Sequence, residues 1–219
     1  MTKLLTKNSK ITKSNSDTHT VYNFGIPAYE SKTGLKTCPN AGICAKGCYA
    51  QSGAYNFSNV AQAFENRLAD SLSDNFPALL GKELAVKVKT AKRQGKQLVI
   101  RIHDSGDFYN MKYALKWLSV MNNFPTVQFY AYTKQVVMFK GISKIIPDNF
   151  TLIFSEGGLL DSKIDQAIDR HSRVFESLEA LLAAGYTDTS ENDLNAITAP
   201  NGKVGLIYHG FESKKWTTG

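Results

Sequence analysis

The sequence is poor in cysteine and contains no long apolar segment. Its 219 residues include only three cysteines, which excludes a fold held together by several disulfides. No apolar run approaches the roughly 20 residues that a membrane-spanning helix needs. The N-terminal residues are polar and lack a secretory pattern. We therefore expect a cytoplasmic protein with no membrane partner.

Several catalytic motifs are also missing. The chain has no phosphate-binding loop of the form G-x-x-x-x-G-K-[ST] and no G-x-S-x-G nucleophile turn.

The chain has fewer acidic than basic residues. Its 26 Lys and Arg residues outnumber its 19 Asp and Glu residues and give a net charge of +7. This balance permits a nucleic-acid partner. Two basic segments, residues 1–19 and 87–96, can contact it or can simply be solvated surface.

Apolar periodicity predicts strands that alternate with helices. Such alternation is typical of parallel strands joined by crossover helices. We predict an α/β fold, a partial (β/α) barrel of about five to six mostly parallel strands, although a doubly wound sheet also fits. Residues 1–19 are predicted to be a flexible basic arm, and residues 20–219 a single α/β domain with a cysteine loop at 38–48. The predicted strands are 21–28, 98–102, 126–133, 150–158 and 203–210, and the predicted helices are 58–72, 77–93, 110–122, 135–145, 161–170 and 174–185.

The three cysteines lie together after the first predicted strand. Cys38, Cys44 and Cys48 have the spacing C-x5-C-x3-C. In a reducing compartment, clustered cysteines more often bind metal than form a disulfide. Three thiolates suit a four-iron cluster that leaves one iron open. A zinc site would need a further ligand, for which His103 and His209 are candidates, and three unligated thiols in a structured loop are the remaining alternative.

A polar turn with the sequence HDSGD follows the second predicted strand. Ligands of α/β folds bind at the C-terminal ends of the strands, so this turn should face the cysteine loop. We place His103 and Asp104 near a reaction centre. Asp107 or Ser105 can instead cap the next helix, near Asn110.

A second turn, SEGG, follows the fourth predicted strand. Glu156 in this turn can bind a ribose or an amino group, or it can be a solvent-exposed carboxylate. Its position at a strand end favours a role at the same edge of the sheet.

Two sequence blocks resemble the gene-product-eighty-eight family of phage and plasmid proteins. In that family a "LPA…CP.A..C...CYA" block precedes an "R.H.SGDF" block. The resemblance implies an origin in a mobile element and implies no activity. The matching residues are Pro27, Ala28, Cys38, Pro39, Ala41, Cys44, Cys48, Tyr49, Ala50, Arg101, His103, Ser105, Gly106, Asp107 and Phe108.

The layout also resembles, more distantly, that of the radical S-adenosylmethionine enzymes. Those enzymes are partial (β/α) barrels in which three cysteines after the first strand hold a four-iron cluster, with the spacing C-x3-C-x2-C. The resemblance implies that S-adenosylmethionine binds the open iron and that His103 is near the reaction centre or an extra cluster ligand. The residues that it implies for holding S-adenosylmethionine are Ser105, Gly106, Asp107 and Glu156.

Two functions therefore remain open from the sequence. The first is a radical-S-adenosylmethionine-like iron–sulfur enzyme that acts on a nucleic acid or nucleotide. The second is a DNA- or partner-binding module without catalytic activity, stabilised by an iron–sulfur or zinc site and bound through its basic segments.

Overall fold

The strand order follows the chain through most of the sheet. The computed structural model describes residues 3–208, in which seven strands pair in the order β1-β2-β3-β4-β5-β7-β6. All pairs are parallel, and the sheet curls into a half-barrel. The strands are β1 (His19–Phe24), β2 (Gln97–Ile102), β3 (Gln128–Thr133), β4 (Phe150–Ser155), β5 (His171–Phe175), β6 (Thr187–Asp188) and β7 (Lys203–Ile207).

This architecture confirms the predicted partial barrel. A doubly wound sheet reverses its strand order near the middle, whereas the first five strands here lie side by side in chain order. The predicted number of five to six strands is too low, because the sequence predicts neither β5 nor β6.

Strand β5 lies between two predicted helices, 161–170 and 174–185, and includes the first two residues of the second. The helix expected over 161–170 is only a 3-10 turn at Asp161–Lys163, and the chain then enters β5. Strand β5 is difficult to recognise in the sequence because several of its residues are polar. His171, for example, is fully buried and its Nε2 lies 2.9 Å from the Tyr186 hydroxyl, so the sheet tolerates a polar side chain here.

The helices begin and end close to the predicted positions in the first half of the chain. Ser58, expected to cap a helix, is its first residue, while Asn110 caps the helix that follows β2 by accepting from the Tyr113 amide. Within residues 3–208, no helix is both long and apolar enough to cross a membrane. The helices are α1 (Ser9–Lys13), α2 (Ser58–Leu72), α3 (Phe76–Arg93), α4 (Met111–Asn123), α5 (Val136–Gly141), α6 (Leu178–Ala183) and α7 (Asn195–Thr198).

Side-chain alternation along the strands divides the core into two layers. On β2, Ile100 packs in the large outer cluster with Trp117 of α4. Its neighbour Val99 faces the concave interior, where it shares a smaller cluster with Ile11 of α1 and Ala196 of α7. Helix α1 and the segment around α7 therefore fill part of the half-barrel.

The N-terminal segment differs from the predicted flexible arm. Leu4, Leu5 and Ile11 are each at most 2% exposed. The Glu83 carboxylate of α3 accepts the amides of Leu4 and Leu5 at 2.9 and 3.2 Å. Residues 3–19 are thus packed on the domain, because three apolar side chains in a polar segment are enough to anchor it.

Candidate functional site

The cysteine loop crosses the C-terminal edge of the half-barrel. It leaves β1 and runs through three short 3-10 turns before α2 begins. These turns are Ile43–Lys46, Tyr49–Gln51 and Gly53–Asn56.

The turn after β4 holds this loop in place. The Gly157 carbonyl oxygen accepts the amides of Gly42 and Cys44, each at 3.2 Å. Ala41 and Gly158 form an antiparallel bridge. A Cβ atom on Gly158 would lie 3.0 Å from a backbone oxygen of the cysteine loop, so any larger residue would push the two segments apart. The two glycines of the SEGG turn therefore dock the cysteine loop.

The three thiols are close enough to affect one another. Burial, followed by the charges of Asp107 and the other two cysteines, raises the pKa of Cys38 to about 12. Burial and the charge of Cys44 also raise the pKa of Cys48. All three are free, half-buried thiols. Within residues 3–208, however, no three His, Cys, Asp or Glu side chains are arranged to hold a metal ion.

His103 does not join the cysteines. Its backbone has a φ of 63°, a left-handed conformation that is unusual outside glycine. The ring packs edge-on against Phe108, and its Nε2 atom lies 2.9 Å from the Tyr113 hydroxyl. Burial lowers the pKa of His103 to about 3. The structure thus places His103 in the outer aromatic core, where it is neither a ligand beside the thiols nor a proton donor at the edge. The other candidate histidine, His209, lies outside the described residues.

Asp104 turns towards the N-terminal segment. Its Oδ2 atom accepts a hydrogen bond from the side-chain amide of Asn8 at 3.0 Å, and its Oδ1 atom fills the space that a Cβ atom on Gly25 would need. Burial raises the pKa of Asp104, and the nearby Arg101 opposes that shift.

Ser105 and Gly106 form the turn itself. The Ser105 carbonyl oxygen accepts the Ile26 amide at 3.1 Å, and its hydroxyl is buried without a partner in the described part of the chain. Gly106 has a φ of 81°, and a Cβ atom there would come within 2.3 Å of the Ile26 side chain. The glycine is thus required by the turn and by its packing on the segment that follows β1.

Asp107 ties the end of β2 to the end of β3. Its carboxylate accepts three protein donors, namely the Phe108 amide at 2.7 Å, the Thr133 hydroxyl at 2.6 Å and the Lys134 amide at 2.9 Å. The resemblance to radical S-adenosylmethionine enzymes implies that the Asp107 carboxylate holds that cofactor, but its oxygens already accept these three hydrogen bonds. Asp107 does not cap α4 either, because Asn110 has that role.

Glu156 faces the outside of the half-barrel. Its carboxylate pairs with Arg173 through two contacts, at 2.6 and 3.2 Å. It also accepts from Gln166 at 3.3 Å. The structure therefore pairs Glu156 with β5 and does not bring its carboxylate to the cysteine loop. The alternation of side chains along an extended chain explains the outward direction of Glu156. Ile153 of β4 faces the interior, so the side chain three positions later faces the outside.

The sequence interpretation missed a charged cluster inside the half-barrel. Arg101 of β2 contacts Asp193 at 2.5 Å, and Lys10 of α1 contacts the same carboxylate at 2.7 Å. The Tyr130 hydroxyl donates to Asp193 at 2.8 Å. Burial alone would raise the pKa of Asp193, but Arg101 and Lys10 outweigh it and hold this pKa below its usual range. One signal was available, since Arg101 is a lone charge in the apolar stretch LVIRI.

Comparison with known proteins gives a family. The chain is 32% identical to the "Gene 88 protein" of Mycobacterium phage L5 over 123 residues, which is 54% of this chain and 52% of the relative. It is 33% identical to the "Gene 88 protein" of Mycobacterium phage D29 over 102 residues, or 45% of this chain and 42% of that relative. These matches span about half the length of the two phage proteins. No solved structure matches the chain. The family model described as "Gene product 88" matches residues 2–215, and the chain therefore belongs to the Gene product 88 family.

Proposed function

We propose that this protein carries an iron–sulfur cluster on Cys38, Cys44 and Cys48. The observation that carries the proposal is the docking of the cysteine loop across the C-terminal edge of a parallel half-barrel by the turn after β4. This loop holds every thiol of the chain at the edge where α/β folds bind ligands.

Backbone amides around the sulfurs support this proposal. The Tyr29 amide donates to the Cys38 sulfur at 3.4 Å. The amides of Ala50 and Gln51 face the Cys48 sulfur and oppose the rise in its pKa. Hydrogen bonds to sulfur stabilise a thiolate ligand and tune the potential of a cluster.

The surroundings favour a cluster over a zinc ion. Structural zinc takes four ligands, and His103 is engaged with Tyr113 in the aromatic core. Three cysteines leave one iron of a four-iron cluster open to a further ligand. The described residues offer no preformed site for a single metal ion, so binding a cluster would require the three thiols to move closer together.

A bound cluster would supply a redox-active centre with one open iron. The chain contributes a cation beside it, since the positive charge of Lys134 opposes the rise in the pKa of Cys48. The Lys134 ammonium is fixed between strands, 2.9 Å from the Ser155 hydroxyl and 3.2 Å from the Glu156 carbonyl oxygen. S-adenosylmethionine stays a candidate ligand of the open iron, bound through groups other than the Asp107 and Glu156 carboxylates.

Iron and sulfide analysis of protein purified without oxygen tests this proposal. We expect about four irons per chain, and an electron paramagnetic resonance signal after reduction. Adding S-adenosylmethionine should change that signal if it binds the open iron. Cys38→Ser, Cys44→Ser and Cys48→Ser should each lose the iron, whereas Ser52→Ala in the same loop should keep it.

Two results would overturn the iron–sulfur proposal. One is protein that contains only zinc or no metal under these conditions. The other is iron content that survives the three cysteine substitutions.

A second candidate function is binding to nucleic acid through α3. Its exposed face carries Lys82, Lys89, Lys92 and Arg93, and none of these forms an ion pair with a carboxylate among residues 3–208. Phosphate contacts make such binding strongly dependent on salt. Replacing these four residues by Gln should abolish salt-dependent DNA binding, and Asp107→Ala should not. DNA affinity that is unchanged by the quadruple substitution would exclude this function for α3.

A further inference from the structure

Arg101 uses only part of its hydrogen-bonding capacity. Its Nη1 atom is 2.5 Å from Asp193, but its Nη2 atom has only a long contact of 3.5 Å with the Tyr49 hydroxyl. Its Nε atom is buried and has no partner in the described part of the chain. A guanidinium carries five N–H donors. The edge formed by Nε and Nη2 is therefore almost unused.

Tyr49 of the cysteine loop lies over this unused edge. Its side chain is 57% exposed, yet its hydroxyl reaches the backbone oxygen of the buried Asp104 and the guanidinium of the buried Arg101. Displacing this one exposed side chain would give a ligand access to the Arg101 edge. Interior-facing residues at the ends of the neighbouring strands are only partly buried, namely Tyr132, Val174 and Leu206. We call the region between the cysteine loop and these residues the cleft.

Two cations share one buried carboxylate beside the Tyr49 hydroxyl. Arg101 and Lys10 both contact Asp193, and Asp188 adds a further negative charge near Lys10. Arg67 and Asp104 add one group of each sign nearby. Buried donors without a good acceptor are costly, so an anion that accepts from the Nε and Nη2 atoms of Arg101 would be stabilised.

We propose that the Nε–Nη2 edge of Arg101 binds the carboxylate or phosphate group of a small ligand in this cleft. That edge of a guanidinium matches two oxygens of a carboxylate or phosphate in a bidentate pair. The Tyr49 hydroxyl occupies part of the edge until the ligand arrives, and a 3.5 Å contact is weak enough to be displaced. Because Arg101, held by Asp193, supplies this site, it does not depend on a cluster at the cysteines.

Titration of the full-length protein with inorganic phosphate or acetate, at constant ionic strength set with chloride, tests the proposal. We expect saturable binding of at least one of the two by calorimetry. Saturation by phosphate alone indicates a phosphate-bearing ligand, and saturation by acetate alone indicates a carboxylate. In nitrogen–proton correlation spectra, the Arg101 Nε–H signal should shift during the titration. The anion concentration at half of this shift should equal the concentration at half saturation measured by calorimetry.

Matched variants separate this site from general charge. Arg101→Lys keeps the charge but loses the forked edge, and should weaken binding at least about tenfold. Arg173→Lys, which alters a guanidinium paired with Glu156 on the outer face, should not change the affinity. Tyr49→Phe should bind equally well or more tightly, because the competing hydroxyl is gone.

Three results would overturn the proposal. They are the absence of saturable binding of both anions, binding that Arg101→Lys leaves unchanged, and a loss of binding in Tyr49→Phe. If Arg101→Lys does not fold, the test uses the Arg101 Nε–H signal of the wild-type protein. A signal that neither phosphate nor acetate shifts would exclude the site.

Discussion

A neutral imidazole lies in the aromatic core beside β2. The His103 ring contacts Phe24 and Phe108 edge-on, and its Nδ1 atom is buried with no partner among residues 3–208. A proton on this atom would bury a charge that no acceptor balances. Burial consequently lowers the pKa of His103 to about 3.

This histidine should make the protein sensitive to acid. Below pH 6.5 the unfolded chain binds a proton at His103 that the folded chain does not bind until the pH nears 3. The free energy of unfolding should therefore fall as the pH drops through this range, by about 1.4 kcal/mol per pH unit from this group. Urea unfolding of the wild type at a series of pH values measures the slope.

His103→Asn is the informative comparison. Asparagine tolerates the left-handed backbone at this position, and it does not titrate. The variant should show a shallower pH dependence than the wild type. Identical slopes would mean that His103 is already charged or accessible in the folded protein.

At the scale of elements, the cysteine loop depends on the turn after β4. Gly42 and Gly158 meet at the docking site, where a Cβ atom on either would lie 3.0 Å from backbone atoms of the other segment. Asp161 fixes the β4 turn from the other side by accepting the amides of Gly157 and Gly158 at 2.7 and 2.9 Å. The position of the thiols is thus set by a strand more than 100 residues further along the chain.

Gly158→Ala should loosen the cysteine loop. The added methyl group meets backbone on one side and the Lys134 side chain on the other, which should cost about 1–3 kcal/mol of stability. Hydrogen exchange of the Gly42 and Cys44 amides, which donate to Gly157, should become faster. Gly141→Ala is the matched control, because no atom lies within 4 Å of its added methyl group. Exchange that is equally fast in both variants would argue against docking by this turn.

At the scale of the whole molecule, two distant segments close the half-barrel. Helix α1 and the segment that leads into α7 meet through two ion pairs of different character. Lys10 pairs with the fully buried Asp193, which also holds Arg101, whereas Lys13 pairs with the exposed Glu191. Buried and exposed ion pairs differ greatly in what their loss costs.

Replacing the buried carboxylate should destabilise the whole fold. Asp193→Asn leaves Arg101 and Lys10 facing each other without a negative charge, and should lower the free energy of unfolding by about 3–5 kcal/mol. Glu191→Gln removes only the exposed pair with Lys13 and should have little effect. Thermal or urea unfolding of both variants measures the difference. Similar losses in the two variants would show that Asp193 does not lock the segments together.

The sequence predicted the elements whose signal is local. Strands β2, β3 and β4 are apolar enough to be found by composition, and their parallel order follows from the helices between them. Strand β5 was missed because His171 and Arg173 find partners only after the sheet has formed. The site was partly predicted, since the cysteine loop and the turn after β4 do meet at one edge.

The direction of individual side chains was harder to predict. His103 follows a strand and was expected at the edge, but a left-handed backbone turns it into the core, and no sequence pattern announces that φ. Asp193 could not be found, because its partners Arg101 and Lys10 are distant in the chain and only tertiary structure brings them together.

The closure of the half-barrel also has a consequence for synthesis on the ribosome. The Asp193 amide donates to the Ser14 hydroxyl across 179 positions of sequence. Helix α1 therefore cannot reach its final partners until the segment around α7 has emerged. Until then the apolar side chain of Ile11 and the ammonium of Lys10 remain without their native neighbours from the segment around α7. During synthesis α1 is therefore left without these contacts while more than 150 further residues are added, a consequence of the high sequence separation of its partners.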